Sequence, residues 1–151
     1  MEPRISIITL GVKSMPASIR FYRDGLGFST NAEDDAGWAI FRTGGTRFAL
    51  YPKDKLGQDI GIPSKGHGFA GITLAHVVPN RSDVDQVIQQ AVDAGGSLLK
   101  VPREAEWGGY SGYFGDPDGY PWEVAWDGEW EFDDNGTLWG GSLGPMPSPN
   151  K

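Results

Sequence analysis

An α+β fold built from two βαβββ modules related by a pseudo-two-fold is predicted by three observations on this sequence. Residues 4–52 read strand, helix, then three strands, and residues 69–126 read the same order again. Short words recur at matching places: Ile8-Thr9-Leu10 with Ile72-Thr73-Leu74, and Gly45-x-x-Phe48-Ala49-Leu50 with Gly119-x-x-Trp122-Glu123-Val124. A glycine stop follows each helix, at Gly25 and at Gly95.

The first module opens on Arg4 to Val12, where Ile8, Leu10 and Val12 share one face and Ile7, Thr9 and Gly11 the other. Ser14 is placed to cap a helix, with Pro16 tolerated in its first turn, and Met15, Ile19, Tyr22 and Leu26 recur at helical spacing. Strands are expected near Phe28 to Asn31, over Trp38 to Arg42 and over Thr46 to Tyr51, the last two joined at Gly44-Gly45. Residues 53–68 are polar and glycine-rich and read as a linker loop. The second module runs through a strand from Phe69 to Val78, a helix capped by Ser82 and striped by Val84, Val87, Ile88, Ala91 and Val92, and a strand from Ser97 to Val101. It closes on a hairpin around Asp116-Pro117-Asp118-Gly119, in which Pro117 presets φ and Gly119 accepts a positive one. In the final strand Trp122, Val124 and Trp126 alternate with Pro121, Glu123 and Ala125, so Glu123 lies on the face without tryptophans. The modules make one domain over 1–127. Residues 128–151 form an extension with a small Asn-Gly hairpin and a loose Gly/Pro/Ser-rich end.

Composition narrows the function classes. The 151 residues carry a net charge of −7 with no basic cluster, which disfavours nucleic acid as a partner. No run approaches the roughly 18 apolar residues of a membrane span, and no signal peptide is read, so no membrane partner is expected. Cysteine is absent, which removes disulfides and thiolate chemistry and points to a cytoplasmic location.

The segments ITLGVKSMPASIRFYRDGLGF and GYFGDPDGYPWEVAW resemble the first module and the closing hairpin of the vicinal oxygen chelate superfamily, which contains glyoxalase I, extradiol dioxygenases, fosfomycin-resistance enzymes and bleomycin-binding proteins. The resemblance covers residues 4 to 127. It implies two modules forming a U-shaped cavity lined by the Ile7/Thr9 face, and metal-dependent activity in many members. The four positions that hold the metal in such members fall here on Ile7, Ala49, Gly71 and Glu123, and only Glu123 has a donor. His76 has the parity of Ile72 and Leu74, facing the helix, and His67 lies in the loop before that strand. No metal and no cofactor is therefore expected.

Glu123 is the best catalytic candidate. It could meet a cationic or hydroxyl-bearing ligand, act as a metal-free general base, or pair with Arg47, which shares the parity of Ala49 and Tyr51. Trp38, Tyr51, Trp107, Tyr110, Tyr113 and Phe114 could stack a flat ligand. Gly71, Gly108, Gly109 and Gly112 would leave room for it, and Thr9 and Thr73 would supply hydroxyls. The leading function is a metal-independent binder of a small, planar organic molecule, working as a homodimer. The alternative is a metal-dependent lyase or dioxygenase of the glyoxalase type, and a third reading is a catalytically silent homologue.

Overall fold

β1 (Ile7–Val12) buries Leu10 and Val12 and leaves the Ile7/Thr9 face outward, as its alternation requires. The structure, a computed structural model, describes residues 7–60, 63–66, 68, 70, 72–106, 108–134 and 136–140, with the side chains of 139 and 140 left out. After β1, Ser14 caps α1 (Met15–Arg20), its hydroxyl accepting the Ala17 N–H at 3.4 Å. The helix then widens into one π-helical turn, Phe21–Gly25, closed by the Leu26 N–H on the Phe21 carbonyl at 2.9 Å. The widened turn brings the consecutive Phe21 and Tyr22 both into the core.

β2 (Ala39–Phe41) and β3 (Arg47–Pro52) complete a three-stranded sheet in the order β1-β3-β2, with β1 parallel to β3. The strand expected near Phe28 to Asn31 shrinks to a single bridge between Ser29 and Arg42. Its backbone partners are taken locally: Phe28 N–H goes to Tyr22, and the Thr30 hydroxyl donates to Ile40 C=O at 2.7 Å and accepts the Ala32 N–H at 3.1 Å. The expected linker loop also differs, since it holds α2 (Lys53–Ile60). This helix lies over β1 where there is no side chain, and a Cβ on Gly11 would stand 3.1 Å from Lys53 Cα.

The second module contains β4 (Leu74–Val77), α3 (Arg81–Asp93), β5 (Ser97–Glu104), β6 (Tyr110–Gly115) and β7 (Pro121–Trp126). α3 begins after Asn80 rather than at Ser82, and β5 runs three residues longer than the apolar pattern predicts. The sheet order is β4-β7-β6-β5, with β4 parallel to β7. Each module thus sets its last strand beside its first in parallel, and the repeated order of elements is the one that the sequence predicts. The match of Ile8-Thr9-Leu10 to Ile72-Thr73-Leu74 slips by two residues against the pairing, because Ile8 stands opposite Phe48 while Leu74 stands opposite Trp122. A slip of two is one full strand period, so every side chain keeps its face. A short hairpin, β8 (Glu131–Phe132) and β9 (Leu138–Gly140), follows as expected.

One hydrophobic core serves both modules. Tyr22 packs on Phe48 at 4.8 Å between ring centroids and on Trp122 at 6.0 Å, and Phe48 meets Trp122 at 5.9 Å. Phe114 stacks on Trp122 at 6.0 Å. The sheet faces carrying Phe48 and Trp122 therefore look at each other through a shared interior, and the faces carrying Ala49 and Glu123 look away from it. α3 closes the second sheet by settling on Gly112, where a Cβ would lie 2.6 Å from Ile88 Cδ1 and 2.9 Å from the Lys100 carbonyl. Gly112 thus admits a helix, not a ligand.

Candidate functional site

The outward face of the first sheet gathers Ile7 and Thr9 from β1, Arg47, Ala49 and Tyr51 from β3, and Ile40 from β2. The register sets Ile7 opposite Arg47, Thr9 opposite Ala49, and Ile40 opposite Ala49. Trp38, just before β2, crosses the Tyr51 ring edge-on at 6.0 Å. Ile7 and Trp38 are each 44% exposed and Ile40 39%, an uncommon exposure for three large apolar side chains on one face. A cavity of about 360 Å³ opens here, lined by Thr30, Asn31, Trp38, Ile40, Arg42 and Arg47 with parts of Ala32 and Phe41. Arg42, Ile40 and Asn31 were not expected in the site. Extending β2 by one residue toward the Gly44-Gly45 turn would have found Arg42.

The outward face of the second sheet holds Glu123. It is half-buried, with Tyr113 opposite it on β6 and Ala75 opposite it on β4. Burial pushes the Tyr113 phenol up, and the Glu123 carboxylate beside it adds to the rise. Among the described residues Glu123 makes no ion pair, and the expected partner Arg47 lies on the other sheet, whose outward face points away. Thr73 is exposed and its hydroxyl donates to the Pro121 carbonyl at 3.0 Å.

Tyr110 leaves the expected aromatic set. It shares the parity of Gly112 and Phe114, so it stands on the α3 side, where its hydroxyl donates to Asp85 at 3.2 Å and Arg81 lies 4.1 Å over its ring. Phe114 is buried in the core. Trp107, Gly71 and His67 lie outside the described residues. His76 pairs with Val124 on the helix side, as its parity predicts.

A second cavity, about 670 Å³, lies at the ends of β1 and β3 between the start of α2 and the Asp118–Pro121 turn, and its rim carries Lys13, Lys53 and Lys65. The polar chain missed by the sequence reading runs beside it. Tyr22 donates to Asp116 Oδ2 at 2.6 Å, Trp122 Nε1 donates to the Tyr22 oxygen at 3.1 Å, and Asp118 accepts from the Lys13 N–H at 2.8 Å and the Ser18 hydroxyl at 3.1 Å. Burial raises both the Tyr22 phenol and the Asp116 carboxyl, while the Tyr22 hydrogen bond pulls the carboxyl back down. These contacts join the first helix to the closing hairpin.

A divalent metal does not fit the donors present. At the resemblance's metal positions Ile7 and Ala49 offer hydrocarbon; the two-residue slip puts Thr73 rather than the expected Gly71 in the place that answers to Ile7, which adds a neutral hydroxyl and leaves Glu123 the one carboxylate of the four. Among the described residues no group of three or more His, Cys, Asp or Glu is placed to hold an ion. Also among the described residues, no helix is long and apolar enough to cross a membrane.

The fold is shared with solved structures. A glyoxalase-related enzyme from Fulvimarina pelagi superposes with a TM-score of 0.82 at 29% identity, covering 90% of this chain and 96% of that one. A glyoxalase/bleomycin resistance protein/dioxygenase family enzyme from Burkholderia phytofirmans PsJN gives 0.71 at 18% identity over 82% and 98%. Lactoylglutathione lyase from Agrobacterium tumefaciens gives 0.64 at 21% over 88% and 100%. At such identities the last two speak for the fold alone. No functionally curated protein matches the chain. The model of the Glyoxalase/Bleomycin resistance protein/Dioxygenase superfamily matches residues 4–124, the span of both modules, and with the repeated topology it makes this chain a member of that superfamily.

Proposed function

We propose that this chain is a metal-independent binder of a small, planar organic molecule. The observation that carries the reading is the outward face of the first sheet, where Trp38 and Ile40 stand exposed beside a cavity and the position of a metal donor is taken by the methyl of Ala49. Aromatic side chains presented in this way hold flat ligands by stacking and apolar contact. A homodimer belongs to the proposal. Leu98, Leu99 and Val101 stand exposed on β5, the edge strand of the second sheet, and form the apolar surface that a second copy would cover, leaving Trp38 and Ile40 to the ligand. A cytoplasmic location is part of the same reading and rests on the absence of cysteine.

The experiment is a thermal-shift and calorimetric screen of one- and two-ring aromatic compounds, paired with metal analysis of protein purified without chelators. Binding of flat compounds to metal-free protein is the expected result. About one transition-metal ion per chain, lost in Glu123→Gln, would overturn the metal-independent reading and restore the alternative of a metal-dependent lyase or dioxygenase. Light scattering at micromolar concentration should give twice the chain mass, and a monomer would remove the dimer.

A further inference from the structure

The register between β2 and β3 sets Ala39 opposite Leu50, Ile40 opposite Ala49 and Phe41 opposite Phe48. The ladder ends there, and the same register carried one step further would bring Arg42 toward Arg47. Like charges brought close on neighbouring strands repel each other. Arg20, Arg23 and Arg81 each hold a carboxylate, yet neither Arg42 nor Arg47 meets one among the described residues, in a chain with 20 acidic side chains. Both arginines line the same cavity as Trp38 and Ile40, which stand partly exposed.

Guanidinium groups favour carboxylate and phosphate because their paired N–H donors match two oxygens at once. The cavity, at about 360 Å³, falls toward the small end of the roughly 300–1,000 Å³ of small-molecule sites. We propose that this face takes a planar organic anion of one or two rings, an aryl carboxylate or aryl phosphate. Arg42 and Arg47 hold its charge, and its ring lies against Trp38 and Ile40. The inference rests on the proposed small-molecule function and adds the charge of the ligand to it. The anion offsets two like charges that share one cavity. The net charge of −7 repels the same anion at long range, so binding depends on these two groups and on ionic strength.

The test uses the full chain and four probes: 1-naphthoate, 1-naphthyl phosphate, neutral 1-naphthamide and cationic 1-naphthylmethylamine. Affinity is measured by calorimetry. The site is read from the indole N–H signal of Trp38 in proton–nitrogen correlation spectra, assigned with Trp38→Phe. At least one anion should shift that signal and bind about tenfold or more tightly than the amide. Raising salt from about 50 to about 500 mM should weaken the anion and leave the amide nearly unchanged. Arg42→Met and Arg47→Met should each remove most of the anion's advantage without changing amide affinity, with the circular dichroism spectrum confirming the fold. Arg47→Lys should recover only part of it. The relative strength of naphthoate and naphthyl phosphate separates the two anion types.

Equal binding of amide and anion at Trp38 would overturn the charge assignment and leave the planar-ligand function standing. Tighter binding of the amine would overturn it too. Anion binding that leaves Trp38 unmoved and is lost on Lys13→Met or Lys53→Met would move the site to the larger cavity and refute this one. No binding of any probe at Trp38 would count against both readings.

Discussion

Replacing Tyr22 with phenylalanine removes a single oxygen from the junction of the two modules. That oxygen donates to Asp116 at 2.6 Å and accepts from the Trp122 indole at 3.1 Å, in a place where all three residues are buried. A hydrogen bond to a charged group contributes about 1.5–3 kcal/mol, and a buried N–H left without an acceptor costs about 1–3 kcal/mol. Asp116 keeps the Asp118 and Tyr120 N–H groups at 3.0 and 2.8 Å, so it is not abandoned. The phenyl ring keeps its packing on Phe48. The expected loss is therefore about 3–5 kcal/mol, or roughly 6–20 °C of melting temperature for a domain of this size. Urea unfolding followed by tryptophan fluorescence, with calorimetry beside it, measures both. A double-mutant cycle with Trp122→Phe should show coupling of about 1 kcal/mol or more. A loss below about 1 kcal/mol would refute the reasoning, because the indole would then have another acceptor and the junction would not depend on this chain of contacts.

Gly112→Ala should destabilise the fold by about 1–3 kcal/mol in chemical denaturation, since its methyl meets Ile88 and the Lys100 carbonyl and neither α3 nor β5 can yield freely; an unchanged midpoint would mean that α3 shifts without penalty. Glu123→Gln should leave the midpoint within about 1 kcal/mol, because the carboxylate sits on an outward face without an ion pair among the described residues. Arg20, and then Arg23, hold the Asp34 carboxyl below its ordinary value of 3.8. A folded-state value below the unfolded one stabilises above about pH 4, and the gain is lost as pH falls through the folded value. The difference in melting temperature between the wild type and Asp34→Asn should therefore shrink below about pH 4 and in high salt; a constant difference would rule out the ion pairs as its source.

Alternation and turn chemistry are local, and they made most of the fold legible. The β1 faces, the Ser14 cap and the hairpin at Asp116 to Gly119 all follow from neighbouring residues. α2 was not legible, because Lys53 to Ile60 carries a glycine and little apolar surface, and it forms where Gly11 leaves room for it. The shrunken strand at Ser29 turns on side-chain hydrogen bonds that no periodicity shows. Within the candidate site, the alternation of β6 could have separated Tyr110 from Tyr113, which the sequence reading grouped together, and Arg42 could have been reached by extending the β2–β3 hairpin by one residue. What the sequence could not reveal is how the sheets face each other. That depends on Phe48 meeting Trp122 across residues far apart in the chain, and it separates Arg47 from Glu123.

The parallel pairing of first and last strands has a consequence for how the chain reaches this state. Among the described residues β1 finds no ladder partner until β3 exists, and β4 none until β7 exists, because β7 lies between β4 and β6. Each module must therefore close a long loop before its first strand gains a hydrogen bond, which slows folding through the entropy of closure. As the chain grows from its N-terminus, β4 waits through the synthesis of α3, β5 and β6 with its edge open. A chain cut just before Pro121 would strand β4, deprive β6 of a neighbour and remove Trp122 from the shared interior. Such a fragment should aggregate rather than fold as a module and a half.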